Sequence, residues 1–126
     1  MTKKIIMTQS APAPIGPYSQ AVQVGPFLYC SGQIPLDPVS NQVLSGGIKE
    51  QTELVMKNIH AVLKEAGYDF QNVVKTTIFI TSMKDFPLVN EVYGLYFKEL
   101  PPARSTVEVS GLPKGVNVEI EVVAYK

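Results

Sequence analysis

Apolar residues recur at helical spacing along residues 48–66, IKEQTELVMKNIHAVLKEA. Ile48, Val55, Ile59, Val62, Leu63 and Ala66 fall on one stripe. That period predicts an amphipathic helix, and Gly67 supplies its stop, because glycine takes the left-handed conformation past a last helical turn without strain. A second stripe, Phe86, Val89, Tyr93, Tyr96, Phe97 and Leu100, predicts a helix over 86–99. Asp85 stands before it as a candidate cap. Pro87 falls in the first turn, where a missing N–H breaks no hydrogen bond.

Elsewhere the pattern is that of strands. AVQV and FLYCSG flank Gly25 and Pro26, which predicts a hairpin. NVVKTTIFIT is rich in β-branched residues and about strand length. Two more strands are expected at 104–110 and 117–125, joined by GLPKG, and a further one at 3–7. In the last, Val116, Val118, Ile120, Val122 and Ala124 point one way, while Asn117, Glu119, Glu121, Val123 and Tyr125 point the other. The first set is expected against the helices. The second mixes charge with Val and Tyr, so part of that face is expected to meet another subunit. APAPIGP, at 11–17, is too proline-rich for a helix, and LDPVSNQVLSGG reads as a turn-rich loop. The order β-β-α-β-α-β-β, with the extra N-terminal strand, predicts an α+β layer: a mixed sheet with two helices packed on one face.

At 126 residues, with no repeat or linker, the chain is expected to form one domain, 1–126. Eleven Lys and Arg balance eleven Asp and Glu, and no basic stripe interrupts the pattern, so nucleic acid is not an expected partner. Cys30 is the sole cysteine and lies in a strand-like run, which makes it a small core residue and leaves no partner for an intrachain disulfide. MTKKIIMTQS has three consecutive apolar residues, too few for a signal-peptide core. No stretch reaches the roughly 18 apolar residues of a membrane span. A soluble, cytoplasmic protein without a membrane partner is expected.

One His and one Cys without paired spacing do not make a zinc site, and no phosphate-binding glycine loop or serine-nucleophile elbow is present. His60 lies between Ile59 and Ala61 on the first helix and reads as a partly exposed helix residue. Carboxylates, hydroxyls, tyrosines and arginines remain. Arg104 opens a strand after PPA, and its planar fork matches a carboxylate in two parallel hydrogen bonds. Glu119 sits on the mixed face of the last strand. Partly kept from water, it would have a raised pKa and serve in proton transfer near neutrality. From spacing alone the pair has two readings: a cross-strand ion pair of little energetic consequence, or a grip for an acid substrate with a proton-transfer group beside it.

PARSTVEVSGL, followed five residues later by VEI, resembles the C-terminal signature of the Rid family, the reactive intermediate deaminases formerly called YjgF. APAPIGPYSQAV, LYCSGQIPLDP, VVKTTIFITSMKDFPLVNEVYGLYF and PKGVNVEIEVVA resemble that family in order and spacing, so the likeness covers essentially the whole chain. The resemblance implies a chorismate-mutase-like fold and a homotrimer with intersubunit clefts. It implies hydrolysis of 2-imino and 2-enamino acids, such as 2-aminoacrylate, to 2-keto acids and ammonia, with no metal or other cofactor. It assigns Arg104 to the substrate carboxylate and Glu119 to the activation of water. Tyr18 in GPYSQ and Ser31 in CSGQ match hydroxyl-bearing pocket residues, and Gly32 lets backbone approach the ligand. Asn90 in LVNEVY matches a pocket asparagine, with a purely local helix role as its other reading. Thr106 stands where many members have cysteine. A covalent step through a thiol there is therefore excluded; either the position offers its backbone N–H to the carboxylate, where Thr serves equally, or a thiol that tunes activity or is modified has been lost. A keto-acid-binding regulator without catalysis is the competing function, and an endoribonuclease or translation inhibitor, roles attributed to some members, is a third.

Overall fold

A computed structural model describes residues 2–126. Six strands form one sheet: β1 (Lys3–Ile6), β2 (Ala21–Val24), β3 (Phe27–Gln33), β4 (Val73–Ile80), β5 (Ala103–Glu108) and β6 (Val118–Tyr125). Their spatial order is β1-β2-β3-β6-β4-β5, so β6 is inserted between β3 and β4. All neighbours are antiparallel except β4 and β5, which makes the sheet mixed as expected. A parallel pair needs a crossover. The helix α2 (Phe86–Gly94) provides it, and α1 (Ile48–Glu65) packs beside α2 on the same face.

The alternation of β6 holds residue by residue. Val118, Ile120, Val122 and Ala124 are buried against the helices, where they meet Val55, Ile59 and Val62 of α1. Gly25 turns the first hairpin at φ 59° and Gly67 ends α1 at φ 83°, both in the region that glycine adopts without strain. Cys30 is buried as expected, and burial pushes its thiol up to about 12, which makes it inert. His60 is exposed on α1 and stacks on Phe70 at 5.5 Å between ring centroids.

The second helix is shorter than its stripe predicts. It stops at Gly94, and the next turn tightens into short backbone bonds, from Leu95 N–H to Val92 O and from Tyr96 N–H to Tyr93 O. Glycine is a weak helix former, and Pro101 and Pro102 bar any continuation. Phe97 nevertheless completes the stripe, with its ring 4.8 Å from that of Tyr93. Leu100 leaves it, exposed and at φ 48°. Asp85 occupies the cap position, yet its backbone is already helical and its side chain makes no capping bond.

The other face of the sheet carries no helix. Phe27, Tyr29 and Tyr125 stand there, with Phe27 and Tyr125 edge to face at 5.0 Å, and Tyr29 and Tyr125 about half exposed. This is the mixed face expected from the sequence.

Candidate functional site

Glu119 projects from β6 onto the open face, into a cleft of about 660 Å³. Tyr18, Ser31, Gly32, Lys114 and Glu121 also line it. The cleft exists because β3 bulges. Cys30 pairs with Val122, but Gln33 pairs with Ile120, so Ser31 and Gly32 together stand opposite the single residue Glu121. A bulge re-aims side chains at such a point. Ser31 is fixed on both sides: its hydroxyl donates to Ser19 O at 2.6 Å, and its N–H to Gln20 O at 2.9 Å. Gly32 makes room for Glu119 itself. A methyl group on Gly32 would lie 2.8 Å from Glu119 Cδ and 3.0 Å from its Cγ. The family resemblance implies that Gly32 lets backbone approach a ligand; within the chain, the group nearest that space is the Glu119 carboxylate.

Gln20 holds the far wall. Its buried amide accepts from Thr8 N–H at 2.7 Å and donates to the carbonyls of Thr8, Ala11 and Pro12. That ties down the proline-rich loop leading to Tyr18, whose hydroxyl accepts from Ile15 N–H at 3.4 Å. Glu119 itself has no hydrogen bond or ion pair to another side chain among the described residues. Burial raises its pKa above the ordinary value, and the neighbouring Glu121 raises it further.

Arg104 belongs to a different cleft. It pairs with Thr76 across β4 and β5, so it faces the helices, at the sheet edge. Its Nη1 donates to Asn90 Oδ1 at 2.7 Å. The guanidinium carbon lies 5.2 Å from the Phe86 ring centroid and 5.0 Å from that of Tyr93. Arg104, Asn90 and Tyr93, with Gly94, Phe97, Pro101 and Pro102, line a groove of about 410 Å³. Thr106 follows on the same side of β5, opposite Ile78 and partly buried. Arg104 has no carboxylate partner among the described residues.

The predicted residues therefore form two groups: Tyr18, Ser31, Gly32 and Glu119 on the open face, and Arg104, Asn90 and Thr106 at the helix-side edge. The cross-strand ion pair is ruled out within one chain. Strand β4 lies between β5 and β6, and Phe79, which pairs with Glu119, points away from the helix side where Thr76 carries Arg104. Sequence reasoning missed Gln20 and Glu121 as parts of the site. Glu121 was legible, since it shares the face of Glu119 two positions on; Gln20 was not, because its role depends on where the loop returns. Among the described residues no three His, Cys, Asp or Glu side chains converge as metal ligands, and no helix is long and apolar enough to cross a membrane.

Residues 8–126 match the family described as Endoribonuclease L-PSP. The chain is 52% identical over 124 residues to a 2-iminobutanoate/2-iminopropanoate deaminase of Mus musculus, covering 98% of this chain and 92% of that one. A crystal structure of a Rid family protein of unknown function from Yersinia pestis superposes with a TM-score of 0.97 at 52% identity, covering 99% and 100% of the two chains. E. coli TdcF with bound serine superposes with a TM-score of 0.93 at 40% identity, covering 98% of each. Full-length coverage at such identity, on the same α+β fold, makes this chain a member of the Endoribonuclease L-PSP family, the YjgF/Rid proteins.

Proposed function

We propose that the protein hydrolyses small 2-imino and 2-enamino acids to 2-keto acids and ammonia, in clefts completed between copies of a homotrimer. The observation that carries this reading is the separation of two incomplete groups. A guanidinium fork without a carboxylate sits at the sheet edge, and a half-buried carboxylate without a cation lies on the opposite face. A cleft between adjacent copies joins them, as it would in a ring whose subunits meet through unlike surfaces. The named deaminases at about half identity support the chemistry.

The substrate carboxylate docks on Arg104 and the Thr106 backbone N–H of one copy. An enamine first tautomerises to the imine. Glu119 of the neighbouring copy orients a water against the imine carbon and takes its proton as the C–O bond forms. That proton passes to nitrogen, giving a carbinolamine; a second proton moves from its hydroxyl to the amine by way of Glu119, the C–N bond breaks, and ammonia leaves as the carbonyl forms. Tyr18 and Ser31 border the reacting atoms. Imines are already electrophilic, so positioning and a general base worth about 10²–10⁴-fold suffice. In this reading the protein works in the cytoplasm, near enzymes that release such intermediates.

The test couples a serine/threonine dehydratase to keto-acid release. Arg104→Lys is expected to weaken binding sharply, since an ammonium does not reproduce the fork. Glu119→Gln is expected to slow hydrolysis while 2-ketobutanoate still binds. Arg104→Ala hydrolysing 2-aminoacrylate at the normal rate sinks the proposal. The serine-bound relative favours a second reading, a binder of small amino or keto acids without catalysis. In that case the wild type binds 2-ketobutanoate but does not accelerate its formation.

A further inference from the structure

We infer that Phe86 and Tyr93 are positioning residues for Arg104, forming with Asn90 a seat on α2 that holds the guanidinium in place before a carboxylate arrives. The inference rests on the proposed carboxylate clamp and adds what fixes it.

Arg104 is exposed, and a free arginine at a strand mouth samples many rotamers. Here it is held on several sides. Phe86, Asn90 and Tyr93 are spaced i, i+4, i+7, which puts them on one stripe of α2. Two of them offer ring faces at 5.2 and 5.0 Å from the guanidinium carbon, within the range where a cation is attracted to an aromatic ring. The third takes one N–H through its carbonyl oxygen. Three contacts from one rigid element leave the remaining donors for a ligand.

The seat is itself anchored. Tyr93 is buried, and its hydroxyl shares a 2.8 Å hydrogen bond with Thr76, a fully buried residue of β4. Thr76 is the register partner of Arg104. One rung of the parallel pair thus carries both the arginine and the side chain that fixes the ring beside it. Tyr93 also packs on Phe97, so its ring is confined from behind. The aromatic stripe of α2, which read as core, has a second use at its sheet-edge end.

The test measures 2-ketobutanoate affinity by calorimetry. Phe86→Leu removes the ring and keeps apolar volume, Phe86→Met is a second non-aromatic replacement, and Phe86→Tyr keeps a ring face. The two non-aromatic variants are expected to weaken binding by about two- to fivefold, with Phe86→Tyr binding as the wild type does. A purely structural role predicts a different pattern, in which affinity follows melting temperature across the three. Wild-type affinity in folded Phe86→Leu or Phe86→Met, or an equal loss in Phe86→Tyr, overturns the inference. Arg104→Lys serves as reference: if it binds normally, the clamp fails and the seat with it; if it loses affinity while the Phe86 variants do not, the seat alone fails.

Discussion

Arg104 and Glu119 stand on opposite faces of one sheet with β4 between them. A site using both draws them from different copies, and this has a direct consequence for mixed oligomers. Arg104→Ala and Glu119→Gln are each expected to be nearly inactive alone. Refolded together, they form some clefts with Arg104 from one chain and Glu119 from the other. Random mixing in a ring gives about a quarter of clefts intact, so about that share of wild-type hydrolysis should return. No recovery in mixed oligomers confirmed by mass spectrometry would show that the two residues do not share a site.

This relationship was not legible in the sequence, although most of its parts were. The helical period of α1 and the alternation of β6 are local patterns, and they predicted which side of Val118 or Ile120 is buried. The faces of Arg104 and Glu119 relative to each other depend on counting through β4, with Thr76 opposite Arg104 and Phe79 opposite Glu119. That register is set by long-range packing. The end of α2 failed for a related reason: the stripe continues to Phe97 through a tightened turn, so apolar spacing outlasts the helix.

Gly32→Ala tests whether this glycine serves the carboxylate. The added methyl group displaces the Glu119 side chain, which lies 2.8 Å from it at Cδ. Hydrolysis is expected to fall about tenfold or more, within the range a general base supplies. Affinity for 2-ketobutanoate should hold within about twofold if Arg104 dominates binding. Equal losses in both assays would return Gly32 to its reading as a ligand contact.

Gln20→Ala removes four hydrogen bonds of one buried amide. The peptide groups of Thr8, Ala11 and Pro12 then lose their partners, at a cost of about 1–3 kcal/mol for a buried unsatisfied group. Urea unfolding should show a loss of that size. A change below about 0.5 kcal/mol would mean that water replaces the amide.

Thr106→Cys restores the residue that many Rid proteins carry. Thr106 makes no side-chain hydrogen bond among the described residues, and it lies on the strand opposite Ile78. Both side chains are small, and a backbone N–H is common to both. Hydrolysis is expected to change by less than about twofold, because a shared backbone donor leaves the charge-assisted hydrogen bond intact. A larger gain would show that the side chain at this position tunes the reaction.

In the proposed reaction, Glu119 links activity and stability with opposite signs. Burial, then Glu121, raises its pKa in the folded protein above the ordinary value. As a general base it works when ionised, so hydrolysis should decline as pH falls through this raised pKa, earlier than for an ordinary glutamate. Stability runs the other way. The folded chain holds the proton more tightly than the unfolded one, so stability is greatest below the unfolded pKa and is lost as pH rises through the folded pKa. Within one chain the ionised, half-buried carboxylate therefore works against the fold at neutral pH. Unless a cation from a neighbouring copy offsets this, Glu119→Gln should raise the melting temperature at pH 7 while slowing hydrolysis. The difference should vanish in acid, where the wild-type carboxyl is also neutral. A lower melting temperature for Glu119→Gln at pH 7 would mean that the ionised carboxylate is stabilised by a cation in the assembled protein.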